Sequence, residues 1–261
     1  LEAIDFANES SKPLAIIGKG TNILVKDAGF KGVIIRLGAG FDYIEREDHN
    51  VLKVGASSAI SKLVAKSVKW GLSGCEFLTG IPGSFGGSVS MNTGVRDIDY
   101  SDKYREIKDI LIDIDVLDIK KRKIETLSRA DIPFNYRSSG LEGKCILSGR
   151  IKLEKDDSRA IVNTLQAFLE QRTWINNLNF PSAGSVFKNP GKDNPAGRLI
   201  ESCGLKGRRV GGAMFSQAHA NVIVNIDRAT SKDIMELIEL AKKNVREKFG
   251  IDLELELKTI E

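Results

Sequence analysis

The chain has 261 residues, of which 41% are hydrophobic and 28% charged, and its formal net charge is +4. A chain of this size and composition can bury a core and is expected to form two or three compact units. The mild charge, with Lys and Arg spread along the chain, argues against a nucleic-acid partner. Its apolar runs are shorter than the roughly 18 residues of a membrane span, which argues against a membrane protein.

The first predicted element is a helix over residues 3–8. Because the sequence begins at Leu1 with only part of a helix, we expect a segment of the protein to precede it.

Three cysteines with no C-x-x-C pair indicate reduced thiols and a cytoplasmic setting. The two histidines, His49 and His219, lie far apart in sequence, which argues against a zinc site.

Short apolar runs separated by glycine turns then predict a series of strands, at Leu14–Ile17, Ile23–Val25, Val33–Leu37 and Val51–Gly55. The next pattern is that of a helix. Its apolar face is Ile60, Leu63, Val64 and Val68, its N-cap is Ser57 or Ser58, and Gly71 ends it.

From Gly80 to Gly94, six of fifteen positions are Gly or Pro, which argues against a regular element. We predict that the backbone there either makes tight turns or lies close against another part of the protein. An earlier turn, 18–22, follows a strand as a dinucleotide-binding turn does, but its sixth position is Ile23 and not the third glycine of a Rossmann fingerprint. A P-loop is absent as well, since Cys145 follows Gly143-Lys144. By pattern alone, the two glycine-rich segments are either ordinary turns or an anion nest for a pyrophosphate.

The basic run 120–123 lies between two strand-like runs, 110–117 and 124–127, and predicts a hairpin turn. The pattern at residues 156–158 predicts the start of a helix that connects to the last part of the chain, and residues 176–179 are predicted to form a loop.

The last predicted helix has Thr230 as its N-cap and ends at Gly250. In the closing segment, 253–258, alternation predicts a strand with its leucines on one face and Glu254 and Glu256 on the other. The basic run 206–209 is a candidate contact for anionic groups.

Several segments, in this order and spacing, resemble the UDP-N-acetylenolpyruvoylglucosamine reductase (UDP-N-acetylmuramate dehydrogenase, MurB) family through most of the chain. These segments are 18–22, 29–35, 74–92, 134–138, 181–190, 196–200, 210–213 and 219–221. The chain lacks the long insertion that one subclass of the family carries before the serine motif, so it resembles the compact subclass.

The resemblance implies an α+β fold. Residues 1–153 would form an FAD-binding region of the vanillyl-alcohol-oxidase (PCMH) type, with lobes of about 1–37 and 38–153. Residues 154–261 would form a smaller α+β substrate domain that includes the connector helix. The implied cofactors are FAD and NADPH, and the implied substrate is a UDP-sugar enolpyruvyl ether of peptidoglycan precursor synthesis. NADPH and the sugar nucleotide would use one pocket in turn, and the oligomeric state stays open.

The family match carries roles over to three catalytic residues: Arg137 stabilises the developing negative charge, Ser185 donates the proton and Glu256 is a further acid. It also implies cofactor-binding and substrate-binding residues. The first are Gly18, Lys19, Gly20, Thr21, Asn22, Gly80, Ile81, Pro82, Gly83, Ser84, Gly86, Gly87 and Asn92. The implied substrate-binding residues are Lys188, Asn189 and His219. The resemblance implies no metal-binding residue.

Without the resemblance, each catalytic candidate has an ordinary interpretation. Ser185 alone would be a turn hydroxyl, Arg137 a surface cation and Glu256 a solvated side chain on an edge strand. The alternating pattern does not decide whether Glu254 or Glu256 is the catalytic acid. A structural role for Asn189 is an alternative to substrate binding. Two segments, 95–100 and 176–177, depart from the family pattern.

Two other functions remain compatible with the sequence. One is a flavin-dependent oxidase or dehydrogenase of the same superfamily that acts on a different small alcohol. The other is a flavin- or nucleotide-binding protein without turnover.

Overall fold

The structure is a computed structural model, and it describes residues 1–98, 103–172, 180–191 and 193–261. The helices within these residues are α1 (Glu2–Glu9), α2 (Ile60–Lys69), α3 (Phe85–Ser90), α4 (Ser158–Gln171), α5 (Ala196–Ser202) and α6 (Ser231–Phe249). The strands are β1 (Leu14–Ile17), β2 (Ile23–Val25), β3 (Val33–Arg36), β4 (Ile44–Arg46), β5 (Val51–Gly55), β6 (Leu72–Ser73), β7 (Gly94–Arg96), β8 (Tyr104–Glu106), β9 (Leu111–Asp118), β10 (Lys123–Ser128), β11 (Lys144–Lys152), β12 (Glu154–Lys155), β13 (Ser182–Ser185), β14 (Arg209–Val210), β15 (Ala213–Phe215), β16 (Val222–Asn225) and β17 (Lys258–Ile260).

The chain divides into two compact units. Unit 1 consists of Leu1–Lys19 and Gly32–Arg172, and unit 2 of Gly20–Lys31 and Thr173–Glu261. The connector helix α4 is part of unit 1 by its contacts. The domain boundary expected from the family, between residues 153 and 154, stays a prediction. No helix in the described parts of the chain is long and apolar enough to cross a membrane.

Unit 1 is built on a five-stranded antiparallel sheet with strand order β10-β9-β11-β5-β4. β9, with the sequence LIDIDVLD, lies between β10 and β11, and its side chains alternate between the two faces of the sheet. Ile114 and Val116 are fully buried on one face. On the other, Asp115 accepts hydrogen bonds from Thr126 and Ser148 of the neighbouring strands, at 2.7 and 2.8 Å. The predicted hairpin between β9 and β10 is confirmed.

The prediction that no regular element forms between Gly80 and Gly94 is wrong, because α3 lies inside this run. Ser84 is its N-cap and accepts a hydrogen bond from the Gly87 N–H. Two glycines weaken a helix by propensity, but here packing requires one of them. A Cβ on Gly86 would lie 2.8 Å from the Ala56 Cβ, so only glycine lets the helix approach the end of β5 this closely.

The predicted N-cap of α2 is also wrong. Ala59 occupies that position and makes no side-chain capping bond. The two serines that were candidates are used elsewhere, since the Ser57 hydroxyl donates to the Gly38 carbonyl and the Ser58 hydroxyl to the Tyr43 carbonyl, both at 2.9 Å. Both hydroxyls therefore make hydrogen bonds to residues distant in sequence, and neither caps the helix as the local pattern predicted.

Unit 2 is an antiparallel sheet with strand order β13-β16-β15-β14, covered by α5 and α6. The helix α6 begins and ends as predicted: Thr230 and Asp233 form a reciprocal capping box, and Gly250 adopts the left-handed conformation. Its buried face is Leu237, Ile238, Ala241 and Val245, and all four side chains are fully buried. This face closes the core of unit 2.

The closing strand predicted at residues 253–258 is wrong in its position. The strand that forms, β17, lies at Lys258–Ile260 and pairs in parallel with β2. Before it, Leu255 makes only an isolated bridge to Phe187. Leu253 and Leu257 are buried and Glu254 is exposed, so the predicted faces hold although the regular ladder does not.

Candidate functional site

The first glycine-rich turn leaves β1 and lies against the second. A Cβ on Gly18 would be 2.6 Å from the Ser84 Oγ, so the backbone at Gly18 contacts the start of α3 directly. Both residues belong to unit 1. The two segments predicted to bind the cofactor therefore meet at this point, and a side chain at Gly18 would displace one from the other.

Asn92 follows α3 and is fully buried. Its side-chain N–H donates to the Asn135 carbonyl at 3.1 Å, while its Oδ1 has no hydrogen-bond partner in the described structure. A buried acceptor without a donor costs roughly 1–3 kcal/mol. A bound molecule with an N–H or O–H group at this position would remove that cost.

Arg137 lies in a two-residue turn closed by hydrogen bonds between Asn135 and Ser138, at 2.9 and 3.2 Å. Its backbone is left-handed, with φ of +57°, an uncommon conformation for a residue other than glycine and one often found where a side chain must be aimed. The guanidinium carbon lies 5.0 Å from the centre of the Tyr136 ring, which makes a cation–π contact. Through Asn135, this turn is joined to Asn92.

Ser185 ends β13 at a bulge in the sheet of unit 2. Ser182 is opposite Val224 and Ser185 is opposite Val222, so three steps on β13 match two on β16. Gly184 supplies the left-handed backbone of the bulge, with φ of +77°. A bulge of this kind redirects the side chain that follows it, and Ser185 is half-buried.

The residues after Ser185 are fixed by the buried side chain of Asn221. Its Oδ1 accepts a hydrogen bond from the Phe187 N–H at 3.0 Å, and its Nδ2 donates to the Phe187 carbonyl at 2.8 Å. The Asn221 carbonyl also accepts from the Val186 N–H at 2.9 Å. The sequence pattern included Asn221 but assigned it no role; in the structure it holds the segment that carries Ser185.

On its other side, this segment is bonded to the residues before β17. The Glu256 N–H donates to the Val186 carbonyl at 2.9 Å, and the Lys188 N–H donates to the Glu254 carbonyl at 2.8 Å. The Lys188 ammonium also forms an ion pair with the Glu254 carboxylate. Glu254 is 73% exposed on its side chain, whereas Glu256 is half-buried and lies next to the residue that follows Ser185. The structure thus gives the two glutamates different surroundings.

Two of the predicted substrate-binding residues make structural contacts. The Asn189 Oδ1 accepts a hydrogen bond from the Ala196 N–H at 3.0 Å and so satisfies the start of α5. The His219 Nδ1 accepts from the Asn221 N–H at 3.2 Å. Burial, and second the charge of Lys206, lower the pKa of His219, so its imidazole is neutral at pH 7.

The predicted site residues therefore form two groups. Unit 1 brings together Gly18, Ser84 with the helix it caps, Asn92 and the turn of Arg137. Unit 2 brings together Ser185, Lys188 and Glu256, and the Asn22 side chain donates to the Glu256 carbonyl at 3.1 Å. The roles assigned to these residues stay predictions.

One residue near the site had no signal in the sequence. Arg172 follows α4 directly, and burial of its guanidinium, then the nearby charge of Arg137, lower its pKa to about 10.

Of the two departures from the family pattern, the second, Asn176-Asn177, lies outside the described residues. In the first, β7 pairs with β8, and residues 99–102 lie outside the description.

Comparison with family models matches both parts of the chain. Residues 1–128 match the model of an FAD binding domain, and residues 176–260 match that of the UDP-N-acetylenolpyruvoylglucosamine reductase C-terminal domain. Curated relatives agree with this. The UDP-N-acetylenolpyruvoylglucosamine reductase of Bacillus subtilis is 41% identical over 94% of this chain and 78% of its own length. That of Bacillus velezensis is 38% identical over 99% of this chain and 83% of its own.

A solved structure extends the similarity to the fold. The UDP-N-acetylenolpyruvylglucosamine reductase of Thermus caldophilus superposes with a TM-score of 0.82 at 33% identity, over 99% of this chain and 90% of the other. The predicted fold class is confirmed: an α+β protein with a PCMH-type FAD-binding region and a C-terminal domain.

Proposed function

Because the chain belongs to the UDP-N-acetylenolpyruvoylglucosamine reductase family, we propose that it reduces UDP-N-acetylglucosamine enolpyruvate to UDP-N-acetylmuramate with NADPH. Its cofactor is FAD. The observation that carries the proposal is the position of Glu256, bonded through its backbone to the residue that follows Ser185. The reaction would serve peptidoglycan precursor synthesis in the cytoplasm, where nucleotide sugars and NADPH are made.

Two features of unit 1 are compatible with a bound FAD. The orphaned Oδ1 of Asn92 is an acceptor, and FAD carries both hydroxyl and N–H donors. The close approach of Gly18 to Ser84 brings backbone from two turns together, as an anion nest requires. Within unit 1 we assign FAD binding to residues 18–19, 80–84 and 86–87, together with Asn92. A role of residues 20–22 in cofactor binding stays a prediction. FAD held there would supply hydride chemistry: it would accept a hydride from NADPH and pass it to C3 of the enolpyruvyl group.

Arg137 stabilises the charge that hydride addition creates. The electrons displaced from the double bond collect on C2 and spread into the carboxylate, so a group that stays cationic is needed there. A guanidinium meets this need because it keeps its proton throughout the pH range of the reaction. The closed turn and the contact with Tyr136 hold the Arg137 side chain in place before substrate binds.

Ser185 delivers the proton to C2. A serine hydroxyl is a weak acid in water, but the carbon beside it is a strong base once hydride has been added, and a fixed donor can then transfer its proton. The bulge at Gly184 and the hydrogen bonds of Asn221 fix the position of Ser185. Glu256 is the second acid, near the developing enolate. Lys188 and His219 are assigned to substrate binding, and so is Asn189, in addition to its contact with α5.

The proposal is tested by following both half-reactions of the purified FAD-loaded protein in an anaerobic stopped-flow instrument. NADPH alone should bleach the flavin absorbance. The enolpyruvyl sugar nucleotide should then restore it, with one UDP-N-acetylmuramate formed per flavin. A protein that holds FAD but is not reoxidised by this substrate would exclude the proposed reaction.

A further inference from the structure

The turn that carries Arg137 is bonded to the segment of α3 on both sides of that arginine. Two residues before it, the Asn135 carbonyl accepts a hydrogen bond from the Asn92 side chain at 3.1 Å. Two residues after it, the Ser139 hydroxyl donates to the Ser90 carbonyl at 2.9 Å. All of these residues belong to unit 1. The end of α3 therefore holds the turn at two points, one on each side of Arg137.

The Ser139 hydroxyl is the hydrogen-bond donor for the last carbonyl of α3. The final four carbonyls of a helix have no partner inside the helix. Three of those in α3 accept from the backbone N–H groups of residues 91–93, at 2.9, 3.0 and 3.1 Å. The fourth, that of Ser90, accepts from Ser139, whose side chain is buried. Loss of this hydroxyl would remove that donor and release the turn on the C-terminal side of Arg137.

Arg137 depends on such bonds because its backbone is left-handed. A residue with a side chain is disfavoured at its φ of +57°. A conformation of this kind persists only when the surrounding structure over-determines it. Here the bonds that do so are the two to the segment of α3 and the two between Asn135 and Ser138. Without the bond of Ser139, the backbone is expected to relax and the guanidinium to move with it.

We propose that Ser139 is a positioning residue for Arg137: its bond to Ser90 holds the guanidinium where the substrate carboxylate and C2 gain negative charge. This inference rests on the proposed function. A preorganised charge stabilises a transition state only from the correct position, and a displacement of about 1 Å costs up to about 10²-fold in rate. The effect of Ser139 on the reaction should therefore pass entirely through Arg137.

The test compares FAD-loaded Ser139→Ala with wild type and with Ser67→Ala. Ser67 is the matched control, because it is also a buried serine of unit 1 whose hydroxyl donates to a main-chain carbonyl, that of Leu63 at 3.0 Å within α2. Anaerobic stopped-flow absorbance follows flavin reduction by NADPH and flavin reoxidation by the enolpyruvyl sugar nucleotide separately. Quenching of flavin fluorescence on titration of each apoprotein gives the Kd of FAD.

We expect Ser139→Ala to slow flavin reoxidation by roughly 10- to 100-fold, the range for a misplaced catalytic group. Flavin reduction and the Kd of FAD should change less than about twofold, because the proposed role of Arg137 is confined to the charge on the substrate. Ser67→Ala should behave as wild type in all three measurements.

A double-mutant cycle with Arg137→Lys shows whether Ser139 acts through Arg137. If it does, Ser139→Ala should slow reoxidation by less than about twofold in the Arg137→Lys protein, because residues that act as a unit are not additive. A purely structural role would give the same loss in both backgrounds. The Kd of the enolpyruvyl substrate, from titration of the flavin absorbance, gives a second cycle that needs no turnover, and Ser139→Ala should raise this Kd only when Arg137 is present.

Four results would overturn the inference. Equal slowing of both half-reactions, or weaker binding of FAD, would make Ser139 a support of the cofactor site. Additive losses in the cycle would show that it acts independently of Arg137. If wild type turns over and Ser139→Ala equals Ser67→Ala, the assignment of Ser139 alone fails. If wild type is reduced by NADPH but not reoxidised by the enolpyruvyl substrate, the proposed function fails and the assignment of Ser139 fails with it.

Discussion

At the scale of single residues, the structure separates side chains that the sequence presents as equivalent. Glu254 and Glu256 have the same place in an alternating pattern, but Glu254 pairs with Lys188 at the surface and Glu256 lies beside Val186. Ser185 is one of two serines in the run 181–190, and a bulge between them gives Ser185 a distinct position in the sheet. These differences lead to three predictions.

Ser185→Ala should slow product formation by roughly 10²–10⁴-fold, the range for loss of a general acid, and leave flavin reduction by NADPH unchanged. The reason is that Ser185 acts only after hydride transfer to the substrate. Single-turnover rates of the two half-reactions measure this directly. Ser182→Ala, at an exposed position of the same strand, is the control. Equal losses in both half-reactions would make Ser185 structural.

Glu256→Gln should lower turnover by roughly 10²-fold, because a half-buried acid next to the proton donor is lost. Glu254→Gln should keep turnover near that of wild type and weaken only the ion pair with Lys188. Steady-state kcat of the two variants decides between the glutamates. Our assignment is wrong if the Glu254 variant is the impaired one.

His219 should make unit 2 less stable in mild acid. Its folded-state pKa is lowered by burial, so the neutral imidazole contributes its full stability above the ordinary pKa of about 6.5. As pH falls below that value, the unfolded chain binds the proton first and stability decreases until the folded pKa is reached. Urea unfolding between pH 5 and pH 8 should show this slope, and His219→Gln should flatten it.

At the scale of elements, capping and periodicity located four of the six helices in the described residues, and α3 and α5 were not predicted. Close packing explains why α3 forms. Thr230 and the terminal Gly250 defined α6 from sequence, and the run 156–158 marked the start of α4. The structure adds that Asp233 completes the capping box of α6 and that Asp157 is the N-cap of α4. By contrast, α3 contains two glycines, and propensity argued against it. Its stability comes from contact with Ala56, which no local pattern reveals.

Gly86→Ala should therefore destabilise the apoprotein by about 1–3 kcal/mol, the usual cost of an added methyl in a packed interior. The new Cβ would lie 2.8 Å from the Ala56 Cβ. Gly87→Ala, one residue on, would meet only the Ser84 Oγ at 3.4 Å and should be neutral or stabilise by up to about 1 kcal/mol through helix propensity. Chemical unfolding of both variants measures the contrast, and equal effects would refute the packing argument.

At the scale of the whole molecule, the chain leaves unit 1 after Lys19, contributes β2 to unit 2 and returns at Gly32. The strand β2 then pairs with β17 at the other end of the chain. The cofactor-binding turns that are described together lie in unit 1, since Gly18 contacts Ser84 there. Cofactor binding is thus expected to act on the stability of the protein as well as on its chemistry.

Removal of FAD should lower the Tm, and adding it back should raise the Tm with the logarithm of its concentration. A ligand at 100 times its Kd stabilises the folded state by about 2.7 kcal/mol when it binds only that state. Differential scanning fluorimetry over a range of FAD concentrations tests this. A Tm that does not respond to FAD would contradict the assignment of a cofactor site to these turns.

The sequence by itself determined the elements whose signals are local: four of the five strands of the first 55 residues, the hairpin after β9, the caps of α6 and the burial of Leu253 and Leu257 in the closing segment. It also determined the family, through motifs in a specific order. Only the tertiary structure decided that α3 forms, that Ala59 stands at the N-cap position of α2, and that β17 pairs with β2. The physical reason is the range over which each interaction acts. Propensity, capping and periodicity act within a turn or a strand, whereas these three features depend on which distant surfaces meet and which polar groups they leave to be satisfied.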